Sequence, residues 1–175
     1  MSNQNLFVAL RNAFPADLDS TAVETDDGLV YSWRDLDRAT AMVANLLQSL
    51  DIPKSKDGVP PRVAVQVEKS VEAMVLYLAT LRAGFVFLPL NTAYRSREIE
   101  CFIGKAAPAV VVCSGKNFPW VSPIAFKAGT RHVFTLNDDR SGSLLERAAH
   151  HSDVQTPAVR RSDDLAVILY ASGTT

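Results

Sequence analysis

The residues best placed to do chemistry are the last four. Ser172, Gly173, Thr174 and Thr175 follow the apolar run of residues 165–170. A Ser-Gly-Thr-Thr loop after a strand offers three hydroxyls, a permissive glycine and successive backbone amides. Such a loop can wrap phosphate oxygens in a concave nest of N–H groups, the hydroxyls adding charge-assisted hydrogen bonds. On spacing alone the same tetrapeptide also reads as a surface turn. It is not a Walker loop, because Gly-x-x-x-x-Gly-Lys-Ser/Thr is absent, nor a dinucleotide fingerprint, because Gly-x-Gly-x-x-Gly is absent. Three further loops follow apolar runs: Glu68-Lys69-Ser70, Asn91-Thr92-Ala93-Tyr94-Arg95 and Ser114-Gly115-Lys116. In open α/β sheets, ligands bind in such loops, beyond the carboxyl ends of the strands.

Other polar groupings have plainer readings. The acid pairs Asp26-Asp27, Asp138-Asp139 and Asp163-Asp164 suit turns and caps, since adjacent residues seldom converge as an acid/base dyad. His150-His151 closes a short helix, where a protonated imidazole suits the dipole, and has too few companions for a metal site. Lys69 and Lys116 could meet an anion but read first as solvated lysines. Trp33 and Trp120 read as packing anchors rather than stacking platforms. Arg160-Arg161 is too short for a basic run, and the remaining arginines form no nucleic-acid stripe.

The elements that carry these loops alternate along the chain. A helix from Asn5 to Phe14 is closed by Pro15. Residues 22–31 form a hairpin around Asp27-Gly28. Ser32 caps a helix with Leu36, Ala39, Val43, Leu46, Leu47 and Leu50 on one face, and Asp35 adds charge in its first turn. After a proline-rich loop come a strand (62–67) and a helix capped by Ser70, with Val71, Met74, Val75, Leu78 and Leu81 facing inward. Gly84 ends that helix. A strand (85–88), a helix (96–105), a strand (109–113), a weak helix (118–127), a strand (132–136) and a short helix (143–150) follow. A polar linker (151–162) leads to a last strand (165–170). Continuous Val/Ile/Leu runs between amphipathic helices mean strands buried on both faces. The expected fold class is α/β, a mostly parallel sheet with helices on both faces.

Composition agrees. The 175 residues carry 18 Lys+Arg against 19 Asp+Glu, a net charge of −1, so no sequence-wide attraction to nucleic acid or anionic membrane exists. At 47% apolar residues the chain is too hydrophobic for disorder. Cys101 and Cys113 are too few for a disulfide framework or a zinc site and read as small hydrophobes in a reducing compartment. The apolar stretch from Val71 to Leu90 contains Glu72, Arg82 and Gly84 and does not meet the requirement for a membrane span. No secretory leader is visible, which points to the cytoplasm.

Three motifs in order carry a resemblance. Residues 163–175, ending in Ser172-Gly173-Thr174-Thr175, resemble the phosphate-loop motif of adenylate-forming enzymes: acyl-CoA synthetases, luciferases and peptide-synthetase adenylation domains. Tyr31-Ser32-Trp33-Arg34-Asp35-Leu36 is similar to the first motif of that superfamily, and residues 81–91, from Leu81-Arg82-Ala83-Gly84 to Pro89-Leu90-Asn91, to the second. Residues 68–94 are most similar to malonyl-CoA synthetases. The resemblance implies a large N-terminal α/β region and a small C-terminal lid. Residues 1–175 would be the N-terminal AMP-binding region, stopping inside the phosphate loop and without the lid. It implies ATP, Mg2+ and CoA as cofactor and co-substrates, a carboxylate such as malonate as substrate, and the rest of the same enzyme as partner. Ser172, Gly173, Thr174 and Thr175 would bind the ATP phosphates. No catalytic or metal residue is implied within these 175, so the isolated chain is expected to be inactive. Where the family usually has a hydroxyl residue, most often Thr, this chain has Ala171. Another acyl-CoA synthetase, an amino-acid adenylation domain and a non-catalytic α/β module stay open as alternatives. An exposed sheet edge at residues 165–170 would favour self-association.

Overall fold

A computed structural model describes residues 2–55 and 58–171. The chain opens with α1 (Leu6–Asn12), whose N-cap is Asn5: its side-chain oxygen accepts from Phe7 N. Strands β1 (Thr21–Glu24) and β2 (Val30–Ser32) pair antiparallel. Gly28 takes the left-handed conformation in the turn, with φ +82°. Helix α2 (Trp33–Ser49) begins with a full capping box: Ser32 Oγ accepts from Asp35 N at 3.0 Å, and Asp35 Oδ2 accepts from Ser32 N at 2.8 Å.

The main sheet is built from β3 (Arg62–Gln66), β4 (Val86–Pro89), β5 (Val110–Cys113) and β6 (His132–Thr135), all parallel, in the order β4-β3-β5-β6. Helices α3 (Val71–Arg82), α4 (Ser96–Ala106) and α5 (Phe118–Lys127) make the crossovers, and α6 (Ser143–Ala148) follows β6. Right-handed crossovers fix which face each helix covers. From β3 the chain steps one way to β4, then reverses to β5 and β6. Helix α3 therefore packs with α2 and α6 on one face, and α4 and α5 on the other. Period-two alternation in the strands supplies both faces. Val63, Val65, Val110 and Val112 join Leu46, Leu47, Leu76 and Leu144 in one core; Ala64, Leu88 and Val111 join Ile99, Ile103, Val121 and Ala125 in the other. The expected α/β class, with a parallel sheet between helices, is what the chain forms.

Two expectations are corrected. On the expected inward face of α3, Val75 and Leu81 are buried and Val71 packs against the core, but Met74 is exposed, and the face extends to Leu76 and Ala79, which are fully buried. That helix is apolar almost all round, so periodicity does not choose a face, and packing against α2 and β4 does. Residues 165–170 do not form a full buried strand. They run parallel to β4 through a single bridge, Val167 opposite Phe87, made by Phe87 N donating to Ala166 O and Ile168 N donating to Phe87 O, both at 2.9 Å. Alternation persists, with Val167 against the first core and Ile168 and Tyr170 against the second. Leu165 and Leu169 are exposed.

A buried arginine ties the start of the chain to its later linker. Arg82 is 6% exposed. Its Nε donates to Gln155 Oε1 at 2.9 Å and its Nη2 to Gln155 O at 2.5 Å. Its Nη1 donates to Asp37 O, Asp37 Oδ1 and Thr40 Oγ1 at 2.9, 3.0 and 3.1 Å. The guanidinium lies 4.8 Å over the Phe7 ring. Nearby, Asn5 Nδ2 donates to Ala158 O at 2.9 Å and Arg160 N to Asn3 Oδ1 at 3.1 Å.

Candidate functional site

The reversal of strand order makes β3 and β5 neighbours whose outgoing connections leave in opposite directions. Their loops part at the carboxyl ends, which opens a crevice there. Two adjoining clefts occupy it. One, of about 580 Å³, is lined by Glu68, Thr92, Arg95, Ser114, Lys116 and Trp120, with Asn137 and Asp138 on the β6 side. The second, of about 870 Å³, is lined by Lys69, Pro89, Leu90 and Asn91 and shares Glu68, Thr92 and Asp138 with the first. Three of the loops singled out in the sequence thus converge on one place.

Each loop is pinned from below. Gln66, at the end of β3, is 2% exposed. Its Nε2 donates to Asn91 O at 3.0 Å and to Tyr94 O at 3.1 Å, so both amide hydrogens hold the loop after β4. Its Oε1 has no partner among the described residues. Asn91 Oδ1 accepts from Ala93 N at 2.9 Å, an Asx turn inside the same loop. Arg95 N donates to Glu98 Oε2 at 3.0 Å; the backbone amide of Glu98 first, and that of Arg95 second, hold the Glu98 carboxyl below its ordinary value. After β5, Gly115 N donates to Asn137 Oδ1 at 2.8 Å. A Cβ on Gly115 would lie 3.3 Å from that oxygen, so glycine lets the two loops meet. Trp120 Nε1 donates to Asn117 Oδ1 at 3.3 Å, which sets the indole at the cleft wall.

Lys69 and Lys116 are exposed, as solvated lysines should be, yet they stand on the rim of the clefts beside Arg95. Trp120 packs against the second core and also lines the cleft, so packing is only half of its placement. Asp138, read as a turn residue, sits where the clefts join. The other acids keep turn roles: Asp27 accepts from Thr25 Oγ1, Asp139 from Ser141 N, and Asp164 from Arg161 N. Three cations, hydroxyls and backbone amides at the carboxyl ends suit phosphate oxygens, each charge-assisted hydrogen bond being worth about 1.5–3 kcal/mol. Among the described residues no group of three or more His, Cys, Asp or Glu could hold a metal, and none of the described helices is long and apolar enough to cross a membrane. Ser172, Gly173, Thr174 and Thr175 lie outside the described residues. The convergence of Glu68, Thr92, Ser114 and Asp138 has no sequence signal beyond each residue's place after a strand.

The parallel sheet thus carries a crevice at its carboxyl end, with Lys69, Arg95 and Lys116 beside Glu68 and Asp138. The chain matches the AMP-binding enzyme family over residues 11–175 and belongs to it. Among solved structures it is similar to apo MatB from Rhodopseudomonas palustris, with 44% identity and a TM-score of 0.89 over 99% of this chain and 33% of that one. The ATP-bound form of that protein aligns with 45% identity and the same TM-score. Among curated proteins it is 32% identical over 126 residues to the oxalate–CoA ligase of Arabidopsis thaliana, covering 69% of this chain and 24% of that protein. It is 29% identical to the medium-chain fatty-acid–CoA ligase of Escherichia coli strain K12, covering 89% of this chain and 28% of that protein. The chain therefore spans 24–33% of the length of these relatives.

Proposed function

We propose that these residues serve a malonyl-CoA synthetase-type acid–thiol ligase. The malonate carboxylate attacks the α-phosphorus of ATP, forming malonyl-AMP and releasing pyrophosphate. The CoA thiol, losing its proton, then attacks the acyl carbon and AMP leaves. Adenylation turns a poor acyl donor into one with a good leaving group, and the protein's task is mostly positioning and charge neutralisation. In this reading Ser172, Gly173, Thr174 and Thr175 hold the β- and γ-phosphates. The cleft of Lys69, Arg95 and Lys116 receives a phosphorylated portion of a substrate.

The observation that carries the reading is the 44% identity to MatB of Rhodopseudomonas palustris over 99% of the chain, beside the resemblance of residues 68–94 to malonyl-CoA synthetases. Structures such as the anthranilate CoA ligase AuaEII, at 18% identity, share the fold alone. The test is ATP–pyrophosphate exchange and thioester formation by the complete protein, given malonate, oxalate, a medium-chain fatty acid or an amino acid in turn. Malonate should support both reactions best. A clear preference for a fatty acid or an amino acid would overturn the malonate assignment, and no exchange with any acid would overturn the ligase. The 175 residues alone should give no exchange above blank.

A further inference from the structure

Three aromatic rings run from the cleft loop to the residue two places before Ser172. Tyr94 and Phe102 meet with centroids 5.1 Å apart, tilted 46°. Phe102 and Tyr170 stack at 4.6 Å and 20°. The ends of this row are held very differently. At one end the backbone oxygen of Tyr94 is fixed by buried Gln66. In the middle, Phe102 projects from α4, whose neighbouring Ile99 and Ile103 are fully buried against the sheet. At the other end, the last backbone hydrogen bond from residues 165–171 to the sheet, among the described residues, is Ile168 N to Phe87 O. Leu169 is 73% exposed and contributes little packing. Past Ile168, the ring of Tyr170 is the side chain that seats this segment.

We infer that Phe102 is a positioning residue for nucleotide binding. It acts without touching substrate: its ring transmits the fixed location of the cleft loop to Tyr170, two residues before Ser172. This rests on reading Ser172–Thr175 as the phosphate loop. A leucine at 102 would fill much of the same space but could not stack, whereas a tyrosine would.

The complete protein tests this with Phe102→Leu, Phe102→Tyr, Tyr170→Leu and the double leucine variant. Amide hydrogen exchange of the peptide covering residues 165–175 reads the seating itself. It should speed up in both single leucine variants, no further in the double, and return to normal in Phe102→Tyr. ATP–pyrophosphate exchange reads the consequence. The KM for ATP should rise about tenfold in Phe102→Leu, the equivalent of one aromatic pair, with the KM for the carboxylate unchanged and Phe102→Tyr restoring it. Unchanged amide exchange in Phe102→Leu, or additive effects in the double variant, would overturn the inference. Gly173→Ala separates the two readings. If it leaves the KM for ATP unaltered, the phosphate-loop assignment falls, and the inference for nucleotide binding falls with it. If it raises the KM while Phe102→Leu does not, only the inference falls.

Discussion

Replacing Arg82 by leucine should destabilise the protein by about 3–5 kcal/mol, the cost typical of breaking a buried charged network by removing one partner. The number follows from what the guanidinium leaves behind. Gln155 loses donors to both its side-chain and backbone oxygens while itself 9% exposed, and each buried acceptor left bare costs about 1–3 kcal/mol. The contact over Phe7 adds about 1 kcal/mol. Asp37 is not stranded, because Arg11 Nη2 still reaches its Oδ2 at 3.1 Å, which keeps the loss below that of an orphaned carboxylate. Removing a guanidinium whose burial pulls its pKa below the ordinary value, against the raising effect of Asp37, returns part of the cost. Urea unfolding of the complete protein, followed through tryptophan fluorescence, measures the outcome. With a slope of about 2 kcal/mol per molar, the midpoint should fall by about 1.5–2.5 M at constant slope. Arg82→Lys should recover less than half, because a compact ammonium cannot reach the acceptors that the planar guanidinium fork serves in three directions. A midpoint drop under about 0.5 M in Arg82→Leu would refute the view that this network holds the fold together.

Other outcomes follow from single sites. Ala171→Thr restores a hydroxyl at an exposed position beside the proposed phosphate loop and should lower the KM for ATP about tenfold, the value of a hydrogen bond to a charged group; an unchanged KM would count against a phosphate contact there. Cys113 is fully buried and burial pushes its thiol up to about 12, whereas Cys101 is exposed. A thiol reagent at neutral pH should therefore label Cys101 in the native protein and Cys113 only after denaturation. Tyr31 is pushed up to about 12, first by burial and then by its 2.6 Å hydrogen bond to Glu72. A raised folded-state value stabilises below the unfolded value of about 10 and is lost as pH climbs toward 12. Phenolate absorbance should show a late-titrating tyrosine that Tyr31→Phe removes, along with the matching loss of stability over that range.

The readable parts of the sequence are those where local chemistry and tertiary packing agree. Ser32 and Asp35 announce α2, Ser70 announces α3, and the valines of β3 and β5 announce a sheet buried on both faces. Arg82 was opaque because its partners at 37, 40 and 155 are brought together only by the finished fold. Met74 was misjudged because an all-round apolar helix has no preferred face. Residues 165–170 carry a strand's composition, but composition does not say how many hydrogen bonds a neighbour will supply, and β4 supplies two. At the site, each loop's place after a strand was visible. Their convergence was not, because it depends on the reversal between β4 and β5, which no local spacing encodes.

The bonds between residues 3–5 and residues 158–160 have a temporal consequence. The two partners are more than 150 positions apart in the chain. At about 5–20 residues per second of synthesis, α1 emerges roughly 8–30 s before the residues that clasp it exist. Throughout that interval the side chains of Asn3 and Asn5 lack their partners on the Ala158 and Arg160 backbone. Helix α1 can meet α3 early, but the clasp over its start closes only when residues 158–160 arrive.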